Sequence, residues 1–148
     1  MWMLLGSQPG LSSGAFALFH LFGCIKYKQG LQAALQTLSS QAVVLLGGAA
    51  KREQSGSLGF CVLAPLLQQH KVITFGSSAQ EIQCELQQWG VRAAVCGSLM
   101  EAVAAARAAK DCASIGTVLL SPGGASFDEF LDFVDRGHKF TAYASGQL

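Results

Sequence analysis

The first 52 residues of this chain contain no acidic residue. Nine aspartates and glutamates occur among the 148 residues, and the first of them is Glu53. Charged residues make up only 13% of the sequence, the net charge is +1, and the basic residues cluster nowhere except at Lys51-Arg52. Because nucleic-acid binding requires a basic face that neutralises phosphates, we expect no nucleic-acid partner.

Metal-ligand spacing and nucleophile–base patterns are also missing. The five cysteines form no C-x-x-C pair, and the three histidines are scattered along the chain. We therefore expect no metal site and no catalytic residue. An odd number of widely spaced cysteines within apolar runs is typical of buried thiols in a reducing compartment, which indicates the cytoplasm.

Phosphate-binding loops are absent from the 148 residues. No G-x-x-x-x-G-K-[ST] run occurs, and no G-x-G-x-x-G follows the first predicted strand. The segment from Gly47 to Lys51 has the wrong spacing and lacks a hydroxyl after its lysine. An ATP-binding or dinucleotide-binding domain is not expected within this chain.

Residues 1–29 differ in composition from the rest. Gly, Ser, Phe and Leu dominate there, and no charged residue precedes Lys26. The apolar run from Leu11 to Ile25 is short for a membrane span, and the segment lacks the positive start of a secretory signal. We treat residues 1–29 as a separate apolar segment, and a membrane-associated N-terminus stays open as the less favoured reading.

From about residue 30 onward, helical and strand patterns alternate. Apolar runs predict strands at 42–46, 72–75, 91–96 and 115–120, and the first three of them end at a glycine. Helices are predicted at 32–38, 58–69 with a break near Pro65, 79–89 and 99–110, the last capped by Ser98. Such alternation with short connections predicts an α/β, Rossmann-like domain over residues 30–148, with a mostly parallel sheet covered by helices on both faces.

Residues 117–140, TVLLSPGGASFDEFLDFVDRGHKF, carry the most distinctive pattern. An apolar strand is predicted to break at Ser121, and a helix is predicted to begin at Ser126 with Glu129 completing a capping box. Phe127, Phe130 and Val134 then share one helical side. In a parallel sheet this turn and the turn that carries Lys51 would lie at the same edge, where ligands bind.

The sequence of this stretch resembles a motif in the last domain of the Mur ligases, in particular those that add D-glutamate. The positions that carry the resemblance are Leu119, Leu120, Ser121, Pro122, Ala125, Ser126, Phe127, Asp128, Phe130, Phe133, Arg136, Gly137 and Phe140. The resemblance implies that Lys51, Ser126, Phe127 and Phe133 bind D-glutamate. The Asn-Asp-Ser-Lys-Ala-Thr type segment that opens this domain in the family is missing here, together with its threonine contact to D-glutamate.

The resemblance also implies a role in peptidoglycan synthesis, with ATP and Mg²⁺ as cofactors of the full-length enzyme. We expect the N-terminal and ATP-binding domains to be missing or separately encoded, and residues 1–29 to be a truncated or replaced segment. The isolated chain would then be an inactive fragment. The alternative is a non-catalytic α/β binding or interaction module, with the membrane as a possible partner through its N-terminus.

Overall fold

The computed structural model describes residues 2–5, 15–19, 27–113 and 115–146. The strands are β1 (Trp2–Leu5), β2 (Ala15–Phe19), β3 (Ala42–Gly47), β4 (Ala49–Ala50), β5 (Lys71–Phe75), β6 (Ala93–Val95) and β7 (Thr117–Ala125). The helices are α1 (Tyr27–Thr37), α2 (Ala64–Leu67), α3 (Ala79–Gln88), α4 (Leu99–Ala113) and α5 (Phe133–Ser145). A short 3-10 helix, Cys61–Leu63, leads directly into α2.

These strands form a mostly parallel sheet in the order β1-β2-β7-β3-β5-β6. β3 lies between β7 and β5 and pairs in parallel with both, while β6 and β2 add parallel strands at either side. Within the described ranges, the antiparallel pairs are β1 with β2 and β4 with β7. The predicted α/β, Rossmann-like class is confirmed.

Helices cover both faces of the sheet because the central strand is apolar on both sides. All six residues of β3 are buried. Val44 and Leu46 belong to a core with α1, α2 and α3, whereas Val43 and Leu45 belong to a second core with α4 and α5. A strand without a polar face is typical of a parallel sheet between two helical layers.

Local signals located several helix boundaries correctly. Ser98 caps α4, since its Oγ accepts a hydrogen bond from the Glu101 backbone N–H at 3.2 Å. Pro65 lies in the first turn of α2, where its missing N–H removes no helical hydrogen bond. The longer helix predicted over 58–69 is wrong, because only the residues from Cys61 to Leu67 are helical there.

The strand break predicted at Ser121 is also wrong. β7 continues through Pro122 and both glycines to Ala125. Its last residues gain a partner on each side, because Gly47 of β3 lies opposite Gly123, and β4 pairs with Gly124 and Ala125. A register shift accommodates this extension, because Ser121 and Pro122 of β7 lie opposite the single residue Leu46 of β3.

The last helix begins seven residues later than predicted. Residues 126–132 form turns and bends, and α5 starts at Phe133 with Asp132 as its N-cap. Asp132 Oδ1 accepts from the Asp135 N–H at 2.8 Å, and Asp135 Oδ2 accepts from the Leu131 N–H at 3.1 Å. Asp132 therefore caps α5, and Asp135 binds the backbone just before that cap.

Much of the apolar N-terminal segment lies outside the described residues. Of the run 11–25, the structure describes residues 15–19, which form β2. No helix in the described ranges is long and apolar enough to cross a membrane. The separation of residues 1–29 from a domain over 30–148 stays a prediction.

Candidate functional site

Three parallel strands end together at one edge of the sheet. Gly47, the last residue of β3, lies opposite Phe75 at the end of β5 and opposite Gly123 near the end of β7. This is the carboxyl edge, where open parallel sheets bind their ligands. The chain leaves this edge through the glycine-bearing segments that the sequence had singled out.

The short strand β4 joins two of these exits, and the sequence did not predict it. After β3 the chain turns at Gly48, whose φ is 91°, and runs antiparallel beside the end of β7. A Cβ on Gly48 would lie 2.2 Å from the Ala125 carbonyl oxygen, so this position requires glycine. Ala49 lies opposite Ala125, and Ala50 lies opposite Gly124.

The four residues predicted to bind D-glutamate lie around this strand pair and its continuation. Lys51 follows β4 and is exposed, while Ser126 follows β7 and is buried. Phe127 is 78% exposed beside Ser126, and Phe133 is 40% exposed at the start of α5. Because β4 and β7 are antiparallel, Lys51 and Ser126 leave this strand pair at its opposite ends, and the grouping of all four residues in one pocket stays a prediction.

The segment from Gly47 to Lys51 does not fit a phosphate group. The Gly48 N–H donates to the Phe75 carbonyl at 3.2 Å, and the Ala50 N–H donates to Ser78 Oγ at 2.9 Å. A phosphate-binding loop needs free backbone N–H groups, and these two are already used within the protein. The described residues also contain no group of three or more His, Cys, Asp or Glu side chains that could hold a metal ion.

Two carboxylates from the turn after Ser126 reach the starts of two helices. Asp128 Oδ2 accepts from the Ser77 N–H, just before α3, at 2.9 Å. Glu129 accepts from the Leu99 N–H of α4 at 3.1 and 3.2 Å through its two oxygens. The Glu129 contact pairs the first N–H of α4, which has no partner within its helix, and it explains why Glu129 does not cap a helix in its own turn.

Burial raises the pKa of the Glu129 carboxyl, and the nearby charges of Asp128 and Glu101 raise it further. The Leu99 N–H and the Lys139 ammonium act in the opposite direction. The turn therefore holds two neighbouring carboxylates, one of them easier to protonate than an ordinary glutamate. Their negative charge opposes the binding of a further anion at the starts of α3 and α4.

A buried guanidinium lies against the end of β7 and the turn at Gly48, and the sequence did not predict a role for it. Arg136 is 4% exposed, and its Nη1 donates to the Gly124 carbonyl at 3.1 Å. The same nitrogen lies 3.3 Å from where a Cβ would stand on Gly48. The available signal was its spacing, because Arg136, Phe140 and Ala144 recur every four residues and form the buried side of α5.

The loop that begins at Lys51 is fastened to α3. Arg52 pairs with Glu81, and the Glu85 carboxylate accepts from the N–H groups of Leu58 at 2.7 Å and Phe60 at 2.8 Å. Glu53 pairs with Lys28 of α1 at 2.9 Å. The neighbours of Lys51 are thus held in place while its own side chain is exposed.

Comparison with known proteins gives one consistent relationship, although no family model matches the chain. The chain is 41% identical over 109 residues to a UDP-N-acetylmuramoylalanine--D-glutamate ligase of Syntrophus aciditrophicus. It is 36% identical over 113 residues to that of Bordetella pertussis and 35% identical over 121 residues to that of Rubrobacter xylanophilus. These matches cover 72%, 74% and 78% of this chain.

The same matches cover only 22%, 21% and 25% of the relatives, so the chain spans about a quarter of their length or less. The matched length is that of one domain, in agreement with the single α/β fold. The motif at residues 117–140, the fold and these identities agree. The chain belongs to the Mur ligase family, as a domain similar to the carboxyl-terminal domain of its D-glutamate ligases.

Proposed function

We propose that this chain is the D-glutamate-binding domain of an amide-forming ligase of peptidoglycan synthesis. The observation that carries the proposal is the antiparallel pairing of β4 with β7 near the carboxyl edge of the sheet, which places Lys51 and Ser126 just beyond the two ends of one short ladder. The names of the relatives, which are D-glutamate ligases, supply the substrate class.

The residue types suit a small dicarboxylate amino acid. The Lys51 ammonium would pair with one carboxylate, and the hydroxyl of Ser126 would donate to an oxygen of the ligand. Phe127 and Phe133 would cover its apolar methylenes. The role of these residues is to bind and orient D-glutamate so that its amine faces the acyl group it attacks, and no residue of this chain is proposed to be catalytic.

ATP and Mg²⁺ would activate that acyl group in the full-length ligase, since amide formation from a carboxylate requires activation. The Gly47–Lys51 segment does not fit phosphate, so both cofactors are assigned to parts of the ligase that this chain does not span. The N-terminal and ATP-binding domains of the ligase would be its partners. The compartment would be the cytoplasm.

A titration of the purified chain with D-glutamate tests the pocket. Removing the ammonium by Lys51→Met should weaken binding about tenfold or more, because a hydrogen bond to a charged group contributes about 1.5–3 kcal/mol. Lys71→Met is the matched control, since Lys71 is exposed at the start of β5, at the opposite edge of the sheet. L-glutamate serves as the stereochemical control.

The pocket assignment would be overturned if the unaltered chain shows no preference for D-glutamate over L-glutamate. Equal affinities of the Lys51→Met and Lys71→Met variants would overturn the role of Lys51. A separate assay with ATP, Mg²⁺, D-glutamate and the nucleotide precursor should release no phosphate. Turnover in that assay would show that the ATP site lies within this chain.

A further inference from the structure

Ser78 occupies the N-cap position of α3 but does not cap that helix. Its side chain accepts no hydrogen bond from the α3 backbone. Its Oγ instead accepts from the Ala50 N–H at 2.9 Å, across 28 positions of the sequence. Since a serine at an N-cap ordinarily stabilises its own helix, the hydroxyl is here committed to the residue just before Lys51.

The residue next to Ser78 is bound from the opposite side of the site. The Ser77 N–H donates to Asp128 Oδ2 at 2.9 Å, so Asp128 binds the backbone just before the N-cap of α3. Asp128 Oδ1 is buried and makes no hydrogen bond to any described residue. A buried carboxylate oxygen without a hydrogen bond is costly, even though Asp128 as a whole is only half-buried, and such exceptions call for a specific explanation.

Gly76 shows how closely the three segments approach one another. Its φ is +80°, and a Cβ on it would lie 2.4 Å from Asp128 Oδ2 and 3.2 Å from the Gly48 backbone nitrogen. The turn 76–78 between β5 and α3 therefore lies between the exit that leads to Lys51 and the turn that follows Ser126. The Ala50 N–H joins the first of these segments to Ser78, and Asp128 joins the second to the Ser77 N–H.

We infer that Ser78 and Asp128 are positioning residues for D-glutamate, which hold the Lys51 exit and the Ser126 turn against the single turn 76–78. A change on one side is transmitted to the other through this turn. The inference rests on the proposed function for its ligand, whereas the coupling itself is a property of the protein without ligand. The two parts therefore have separate tests.

Amide hydrogen exchange of the full 148-residue chain tests the coupling directly. Asp128→Ala should accelerate exchange at Ser77 and also at Ala50, which Asp128 does not contact. Asp128→Asn retains an acceptor oxygen and should lie closer to the unaltered chain. Asp111→Ala, at an exposed carboxylate near the end of α4, should leave both amides unchanged. Exchange at Ala50 that is unaffected by Asp128→Ala would overturn the inference.

D-glutamate affinity tests the consequence for binding. Ser78→Ala should weaken binding about tenfold, because the Ala50 N–H loses its acceptor and the Lys51 backbone its support. Ser78→Thr keeps the hydroxyl and should restore affinity, which loss of packing alone would not predict. Ser40→Ala is the matched control, since Ser40 is exposed just before β3, at the far edge of the sheet.

The outcomes separate this inference from the proposed function. If Lys51→Met weakens binding while Ser78→Ala does not, D-glutamate binding stands and the positioning role is wrong. If the unaltered chain does not bind D-glutamate, the proposed function fails and the exchange at Ala50 alone decides the coupling. If Asp128→Ala does not fold, Ser78→Ala tests the coupling from the other side: exchange at Ser77, whose N–H donates to Asp128, should accelerate, and an unchanged rate there would overturn the inference.

Discussion

At the scale of single residues, the carboxylates of the turn after Ser126 act as acceptors for distant helices. Glu129 binds the start of α4 across 30 positions of the sequence, and Asp128 binds the start of α3 across 51. Both helices begin at the edge where the ligand is proposed to bind. Protonation of Glu129 would alter this edge.

Glu129 gives a prediction with a defined sign. Its folded pKa lies above the ordinary value of 4.5, so above pH 4.5 the folded chain retains a proton that the unfolded chain has released. The contribution of Glu129 to the free energy of unfolding is thus present below pH 4.5 and is lost as the pH rises through the folded pKa. Glu129→Gln should remove this part of the pH dependence, since glutamine still offers an acceptor to Leu99.

Urea unfolding at a series of pH values from 4.5 up to neutrality would measure the free energy of unfolding of Glu129→Gln and of the unaltered chain. The stability of Glu129→Gln relative to the unaltered chain should increase with pH over the window. Asp111→Asn removes an exposed carboxylate from α4 and should run parallel to the unaltered chain. A pH-independent difference between Glu129→Gln and the unaltered chain would contradict the prediction.

At the scale of secondary-structure elements, helix starts at this edge are decided by which side chains reach the free N–H groups. α4 is capped by its own Ser98 and also receives Glu129, whereas the serine before α3 is used by β4. α5 is capped by Asp132, which lies four residues before Arg136, the first buried residue of that helix. For α5, the local sequence offers two N-cap candidates, Ser126 and Asp132, and the structure uses Asp132.

Asp132→Ala should destabilise the protein by about 1 kcal/mol, the usual cost of losing an N-cap acceptor. Asp132→Ser restores an acceptor at the same position and should recover most of the loss. Thermal unfolding of both variants measures the effect. If Asp132→Ala is as stable as Asp132→Ser, α5 does not depend on this cap.

At the scale of the whole molecule, two cores share one central strand. Leu45 and Leu46 are adjacent and fully buried, yet they belong to cores on opposite faces of the sheet. Because β3 is common to both, loss of either core should unfold the same strand. We therefore expect a single cooperative transition.

Leu45→Ala and Leu46→Ala should each destabilise the protein by about 2–5 kcal/mol, since each leaves a cavity in a packed core. Circular dichroism and intrinsic fluorescence should report one common midpoint in both variants. Val62→Ala, at a side chain that is 68% exposed, is the control and should change stability by less than about 0.5 kcal/mol. Two separate midpoints in either variant would show that the cores unfold independently.

The sequence alone determined the α/β class, most helix and strand positions, and the family. Apolar runs and helical periods depend on neighbouring residues, so the strands at Ala42 and Lys71 and the cap at Ser98 were predictable from local pattern. The two glycine-bearing exits were also predictable, because the carboxyl ends of parallel strands share one edge.

Only the tertiary structure decided how those exits are joined. β7 lies beside β3 although 75 positions separate Ala42 from its partner Thr117, and β4 exists because the end of β7 offers it hydrogen bonds. Likewise, Arg136 is buried because its guanidinium reaches the Gly124 carbonyl, and Asp128 and Glu129 bind helices far away in sequence. Such contacts depend on which surfaces meet after the sheet forms, and no local pattern encodes that choice.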